Sequence, residues 1–276
     1  MRILLRIALA SLCPFVALGQ EPYAVPPEPV LSLATAAPTP GIELSPDGRW
    51  MLLTEREAQP TLAEVRRPML RLAGRRLDPA AHAAYSTDFV RGLQLRPLTE
   101  DRTKRVPLPG NARLSWLAWS PDSESVAYVL ESRAGSELWV VEAGDPEHPR
   151  MLTERLTTIP GTPRWNLDGS ALLAHLWPAD MGAEPVRETV PVGPVVLETD
   201  GAETPLRTTQ DLLRDAEDAA LWAWHSTSEL ALLPMKGGGE EEVVARGLFA
   251  AADLSPDGRY LMVAHYTEPY SYSMSA

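Results

Sequence analysis

The apolar positions of this chain come in short runs that stop at a polar turn and restart just beyond it. Four segments share the pattern: 44–53 (LSPDGRWMLL), 119–129 (WSPDSESVAYV), 165–174 (WNLDGSALLA) and 254–264 (LSPDGRYLMVA). A fifth, weaker copy lies at 224–233 (WHSTSELALL). Each predicts a strand end, a tight turn and a second strand. Proline presets φ at the first central turn position, aspartate accepts local backbone hydrogen bonds, and glycine takes the positive-φ position that a bulged hairpin needs. Runs such as 125–130 and 137–141 are rich in branched and aromatic residues, which favour strands.

Asp47, Asp122, Asp168 and Asp257 anchor the turns at intervals of 75, 46 and 89 residues. The weak copy near Ser226 divides the last interval into 58 and 31. Propeller blades recur at about 40–50 residues, so the long first interval holds one blade plus an insertion over 56–84. The expected fold is all-β: a partial β-propeller of about five blades over 41–276, the last incomplete, each blade a four-stranded antiparallel sheet. The one helical signal is 208–218. Thr208 followed by Asp211 resembles an N-cap, and Leu212, Leu213 and Ala216 offer a short apolar stripe.

The N-terminus reads as an address. Arg2 and Arg6 precede an apolar run over 7–18, and Ala17 and Gly19 are the small residues of a signal-peptidase site, so 1–19 is expected to be a signal peptide. The run is too short to span a bilayer as a helix. Cys13 invites a lipoprotein reading, which the bulky Leu12 before it opposes. The segment 20–40 carries six prolines and predicts an extended leader or linker. The expected location is exported, periplasmic or secreted, with no membrane association after cleavage.

Charge changes the picture of partners. The chain has 37 acidic and 25 basic residues among 276, a net charge of −12, and only Lys104 and Lys236 are lysines. That balance argues against nucleic acid. A single cysteine excludes intramolecular disulfides and cysteine metal clusters.

The search for chemistry selects no residues. No Gly-x-Ser-x-Gly nucleophile elbow is present. His82, His148, His175, His225 and His265 are scattered without a zinc-ligand spacing. His175 and His265 lie in or at the end of apolar strands, as packed, hydrogen-bonded histidines do. The turn aspartates read as structural. Glu240, Glu241 and Glu242 follow a glycine tip and read as a solvated edge. Arg66, Arg67, Arg71, Arg75 and Arg76 either pair with this chain's surplus acids or meet an acidic partner. No catalytic, cofactor-binding or metal-binding residue is assigned, and no cofactor is expected.

Several stretches in order resemble the prolyl oligopeptidase family of serine peptidases, in particular its glutamyl endopeptidase branch. They are 37–48 (APTPGIELSPDG), 67–74 (RPMLRLAG) with 76–79 (RLDP), 191–196 (PVGPVV), 210–213 (QDLL) and 269–272 (PYSY). The arginine-bearing stretch is the most specific. The resemblance implies an N-terminal propeller that restricts peptide access to a C-terminal α/β-hydrolase domain with a Ser-Asp-His triad, and cleavage after Glu. No triad position is matched within these residues, so the expectation is the propeller portion of an exported peptidase, inactive alone, meeting peptide substrates through the hydrolase domain. The alternative is a free-standing periplasmic propeller that binds a protein or envelope component. The sequence specifies no oligomeric state.

Overall fold

The structure, a computed structural model, describes residues 24–186, 210–235 and 241–272. The expected signal segment, the 191–196 stretch, Thr208 and Glu240 lie outside the described residues. The chain divides into two units, Met1–Ala36 and Ala37–Ala276.

In the first unit, α1 (Glu28–Thr35) replaces the extended course expected of this proline-rich segment. Pro27 sits at the N-cap and Pro29 in the first turn, where a missing N–H costs no helical bond. The run that follows is free of proline until Pro38. Thr35 Oγ1 donates to the Leu31 carbonyl at 2.8 Å, and no residue of α1 is buried.

The second unit is a series of antiparallel meanders. The first comprises β1 (Gly41–Leu44) and β2 (Trp50–Arg56), then, after the insertion, β6 (Val90–Pro97) and β7 (Lys104–Arg105). The insertion holds α2 (Leu62–Val65) and a small sheet of β3 (Leu70–Leu72), β4 (Arg75–Asp78) and β5 (Ala83–Ala84). The second meander is β8 (Leu114–Trp119), β9 (Ser125–Glu131), β10 (Ser136–Glu142) and β11 (Asp145–Leu156). The third is β12 (Arg164–Trp165), β13 (Ala171–Leu176), β14 (Thr227–Pro234) and the first half of β15 (Glu242–Leu254), with α3 (Ala216–Ser226) between β13 and β14. The second half of β15 pairs with β16 (Leu261–His265) and opens a fourth. Strand pairing among the described residues joins the first meander to the second at one residue pair, Val90 with Leu114, and the second to the third at one, Leu156 with Leu176.

The all-β class and the four-stranded antiparallel blades are as expected. The count is three blades and the opening hairpin of a fourth among the described residues, where the spacing suggested about five. The fifth sequence copy opens no blade, because Trp224 to Ser226 finish α3 and the residues after them form β14. It lacks the Pro-Asp-Gly chemistry that makes the other turns.

The core lies between blades. Along β9, Val126, Tyr128 and Leu130 pack toward Leu52, Leu93 and Leu95 of the first blade. The alternate residues Ala127 and Val129 pack toward Leu172, Ala174, Ala231 and Leu233 of the third. Side chains alternate across a strand, so a strand covered on both faces reads as an uninterrupted apolar run, and every residue of β9 is buried. The outer strands are less covered: Ile42 is 64% exposed in β1 and Met262 65% in β16.

The helix near 208–218 also shifts. It starts at Ala216 and is capped by Asp215, whose side chain accepts from the Asp218 N–H at 2.7 Å. Asp211, expected in its first turn, instead has φ 63° in the loop before it.

Candidate functional site

The four aspartate turns are all first hairpins of blades, and their bonds are local. Ser45 Oγ donates to Asp47 Oδ1 at 2.7 Å, the Arg49 N–H donates to the same oxygen at 2.9 Å, and the Trp50 N–H donates to Ser45 Oγ at 3.0 Å. The same triplet recurs at Ser120, Asp122, Glu124 and Ser125, and at Ser255, Asp257, Arg259 and Tyr260. At the third turn the Ser170 N–H donates to Asp168 at 2.9 Å, and Asn166 takes the serine's place. The Arg49 N–H, the Ser45 hydroxyl and the Arg49 guanidinium hold Asp47 down to about 2. Neighbouring turns touch. The Asp47 N–H donates to Ser123 Oγ at 3.0 Å, and a Cβ at Gly169 would lie 2.9 Å from the Asp122 carboxylate. The bonds these carboxylates accept all lie within their own turns.

The insertion gathers different chemistry. Thr61 and Glu64 form a capping box on α2: Thr61 Oγ1 accepts from the Glu64 N–H at 3.3 Å, and the Thr61 N–H donates to Glu64 Oε2 at 2.9 Å. The other oxygen of Glu64 takes Arg91 of β6. Burial opposes the charge on Glu64, but Arg91 and Thr61 outweigh it and hold the carboxyl below its ordinary value. Arg67, just past α2, donates to Asp78 at the end of β4 and to the Ser86 carbonyl, and this ion pair is buried, with side chains 6% and 3% exposed. Asp78 also accepts from the Ala80 and Ala81 N–H groups at 3.1 and 3.2 Å.

Three guanidinium groups surround one buried ring. Arg67, Arg91 and Arg113 lie 5.2, 5.5 and 5.8 Å from the centroid of Phe89, within cation–π range. Glu131, the last residue of β9, ends among them with its side chain 1% exposed, and Arg67 Nη1 is 3.9 Å away. Neither Glu131 oxygen completes a hydrogen bond. Burial pushes its carboxyl up to about 7 against the pull of the nearby Ser115 hydroxyl, Arg67 and Arg113. Two adjoining cavities of 570 and 460 Å³ open here, sharing Ala63, Arg67, Arg113, Ser132 and Arg133 in their walls.

A second group links the insertion to the third blade. His82, at φ 49°, stacks on Trp177 at 3.9 Å; Trp224 meets Trp177 edge-on, and His225 meets Trp224. His225 Nε2 bonds Glu184 at 3.0 Å, while the Nδ1 atoms of His82 and His225 are buried without partners. Burial, with a smaller push from His225, takes His82 down to about 4. Burial lowers His225 too, against the pull of Glu184.

The remaining residues singled out from the sequence divide. His175 is buried, bonds Ser228 Oγ at 2.9 Å and is driven by burial to about 4, as a packed histidine should be. His265 is exposed on the edge strand β16 and packs on Phe249 at 4.7 Å, which corrects the expectation of a buried core histidine: β16 has no strand on its outer side among the described residues. His148 is exposed beside Asp145. Arg71 and Arg76 pair with Asp211, and Arg75 reaches the Ile159 carbonyl at 2.9 Å. Glu241 pairs with Arg155. No group of three or more metal-ligating side chains occurs among the described residues. Arg67, one of the arginines singled out from the sequence, pairs with an acid of this chain, as one of the two readings had it; Asp78, Arg113 and Glu131 were not singled out, and the glutamate closing the apolar run 125–130 was the visible trace of the last.

The fold defines a propeller-type module of four-stranded blades with a charged insertion at one end. Within that class the chain is similar in sequence to glutamyl endopeptidases of the prolyl oligopeptidase family. It is 29% identical over 265 residues to a probable chloroplastic glutamyl endopeptidase of Oryza sativa subsp. japonica, covering 91% of this chain and 28% of that protein. It is 28% identical over 271 residues to the protein of the same description in Arabidopsis thaliana, covering 91% and 27%. The chain thus spans little more than a quarter of the length of these relatives. A solved prolyl endopeptidase aligns at 13% identity with a TM-score of 0.42, over 83% of this chain and 26% of that one. No family model matches the chain.

Proposed function

We propose that the chain is the propeller portion of an exported serine peptidase of the prolyl oligopeptidase family, directed to Glu, and that it limits access to a hydrolase domain lying outside these 276 residues. The observation that carries this reading is the similarity to two glutamyl endopeptidases along 91% of the chain. Export is supported by the residues at 1–19. Peptides are the partners this reading requires, and the net charge of −12 disfavours nucleic acid. No helix among the described residues is long and apolar enough to cross a membrane.

The test uses the gene read through and beyond codon 276. The product should label with a fluorophosphonate probe outside residues 20–276. It should cleave a short Glu-containing peptide and spare the same sequence inside a folded protein. Labelling within 20–276 would overturn the assignment of chemistry to another domain, and equal cleavage of the folded protein would overturn the access role. A reading frame that closes at codon 276 would favour the free-standing binding module, a reading to which the open cavities of the insertion end also lend themselves.

A further inference from the structure

The rings beside the insertion also act as fastenings. After β13 the chain runs from Trp177 to Val186, and most of 179–186 is exposed. Among the described residues, three side chains tie 178–186 to the rest of the molecule by hydrogen bonds. Trp224 Nε1 donates to the Gly182 carbonyl at 3.0 Å, His225 Nε2 to Glu184 at 3.0 Å, and Arg246 to Asp180 at 2.7 Å. The first two are neighbours at the end of α3, a helix anchored by Leu221 and Trp222 in a buried cluster with Leu72, Leu77 and Leu248. Trp177 is held separately by Arg155 of β11, which donates to its carbonyl at 2.9 Å. His82 is held too, its carbonyl accepting from the Thr158 N–H at 3.0 Å and from Thr157 Oγ1 at 2.9 Å. The segment 178–186 can therefore part from a surface that stays in place.

The fastening at His225 depends on its protonation. Nε2 donates to Glu184, so the neutral ring carries its proton there, and Nδ1 is a bare lone pair buried without a partner. Protonation would turn that atom into a charged donor with no acceptor, which costs far more than the bare lone pair. Glu184 compensates only in part: its side chain is 50% exposed, against 1% for His225, and water screens its pull. Burial prevails and holds His225 below the ordinary histidine range. His82, across Trp177, has the same buried, unpartnered Nδ1, and any charge it gained would repel that of His225. The other charged groups around the pair are Asp78 of β4 and, in the walls of the 360 Å³ cavity beside His82 and Trp177, Glu137, Glu154 and Arg155. Arg155 is itself engaged by Glu229 and Glu241.

We propose that residues 178–186 are an acid-released strap, fastened to the Trp224–His225 end of α3 while His225 is neutral and lifted when His225 takes up a proton. Lifting removes Glu184 from the ring and lets the imidazolium reach water. The arrangement that binds the proton more tightly gains population as pH falls. Lifting also uncovers Trp224 beside Trp177, two rings that meet edge-on at 4.8 Å, and so gives the molecule an additional aromatic surface in acid alone. The inference rests on this joint and holds equally for a peptidase portion or a free-standing module.

The experiment is hydrogen exchange of the indole N–H groups, followed by NMR on the purified chain with isotope-labelled tryptophan, at about pH 7.5 and about pH 5, either side of an ordinary histidine. Trp224 reports the strap. Trp165, whose Nε1 donates to the Ala118 carbonyl of the neighbouring blade at 3.3 Å, reports the body of the fold. Protection of Trp224 relative to Trp165 is expected to fall about tenfold in acid. His225→Gln, which keeps a donor for Glu184 and cannot take up the proton, is expected to abolish the fall. Glu184→Ala, at a half-exposed position outside the core, is expected to lower Trp224 protection already at the higher pH. Relative protection of Trp224 that is unchanged in acid, a loss shared equally by Trp165, a full acid response in His225→Gln, or unchanged protection in Glu184→Ala each overturns the proposal.

Discussion

At the turn end of the blades, Asp47 and its counterparts are exposed and accept bonds from residues two positions away, and those bonds hold Asp47, Asp168 and Asp257 below the ordinary carboxylate range. At the insertion end, Glu131 is buried among groups brought from 18 to 64 residues away in the chain, and burial pushes it toward the neutral form. The same functional group is thus stabilised by its turn in one place and strained by its surroundings in the other. Local bonding makes a carboxylate part of the scaffold. Burial leaves a carboxylate whose charge its neighbours only partly offset.

Breaking the buried pair should show the contrast most strongly. Arg67→Ala leaves Asp78 charged and without its main partner in the interior and is expected to cost about 3–5 kcal/mol in urea denaturation. A loss below about 1 kcal/mol, the level of an exposed pair, would put the insertion end on the same footing as the turns.

The pH dependence of stability separates the two ends by sign. Folded Glu131 keeps its proton up to about pH 7, whereas the unfolded chain releases it near 4.5, so stability falls as pH rises across that window. The drop is on the order of 3 kcal/mol, and Glu131→Gln should abolish it. Buried His82 and His175 act in the other direction: the unfolded chain takes up protons below 6.5 that these two refuse until about 4, so stability falls as pH drops through that range. Asp47 adds stability above 3.8 that disappears toward pH 2. Denaturation curves of wild type and Glu131→Gln from pH 4 to 8 should therefore coincide at the acid end and diverge toward neutrality.

The smallest effects belong to the turns and sharpen the account of how they meet. Gly48 and Gly169 have φ of 69° and 73°. Gly48→Ala should cost about 1 kcal/mol for the left-handed backbone alone, having open space around its Cβ. Gly169→Ala should cost about 2 kcal/mol, because its Cβ also displaces the Asp122 carboxylate. Equal shifts in midpoint would mean that adjacent turns do not press on one another.

The turns were legible in the sequence because their bonding partners are sequence neighbours, and so were the strands, since β9 covered on both faces must be apolar throughout. The weak copy at 224–233 misled because it repeats the apolar run without the residues that make the turn. Its tryptophan and histidine serve instead in the ring cluster with Trp177. The helix was misplaced because its cap, Asp215, is one of several acids in a polar stretch, and only the fold selects it. The cleft was invisible for a different reason. Arg67, Arg113 and Glu131 meet only when the insertion folds back on the second blade, and no spacing rule links them.

The contact between successive turns bears on how such a chain can lengthen. With the Asp47 N–H on Ser123 and Gly169 against Asp122, the first three blades are bound together at one margin, as pages are at a spine. The intervals between the anchoring aspartates differ widely, and most of the difference lies in the segments 57–89 and 177–226, both of which connect second to third strands and so leave from the opposite margin. Residues added there need not disturb the bound edge. Lineages can therefore trade new loops on the free margin while the alignment of blades is inherited unchanged, and a designer wishing to graft a recognition loop should place it after β2 or β13 rather than after β1 or β12.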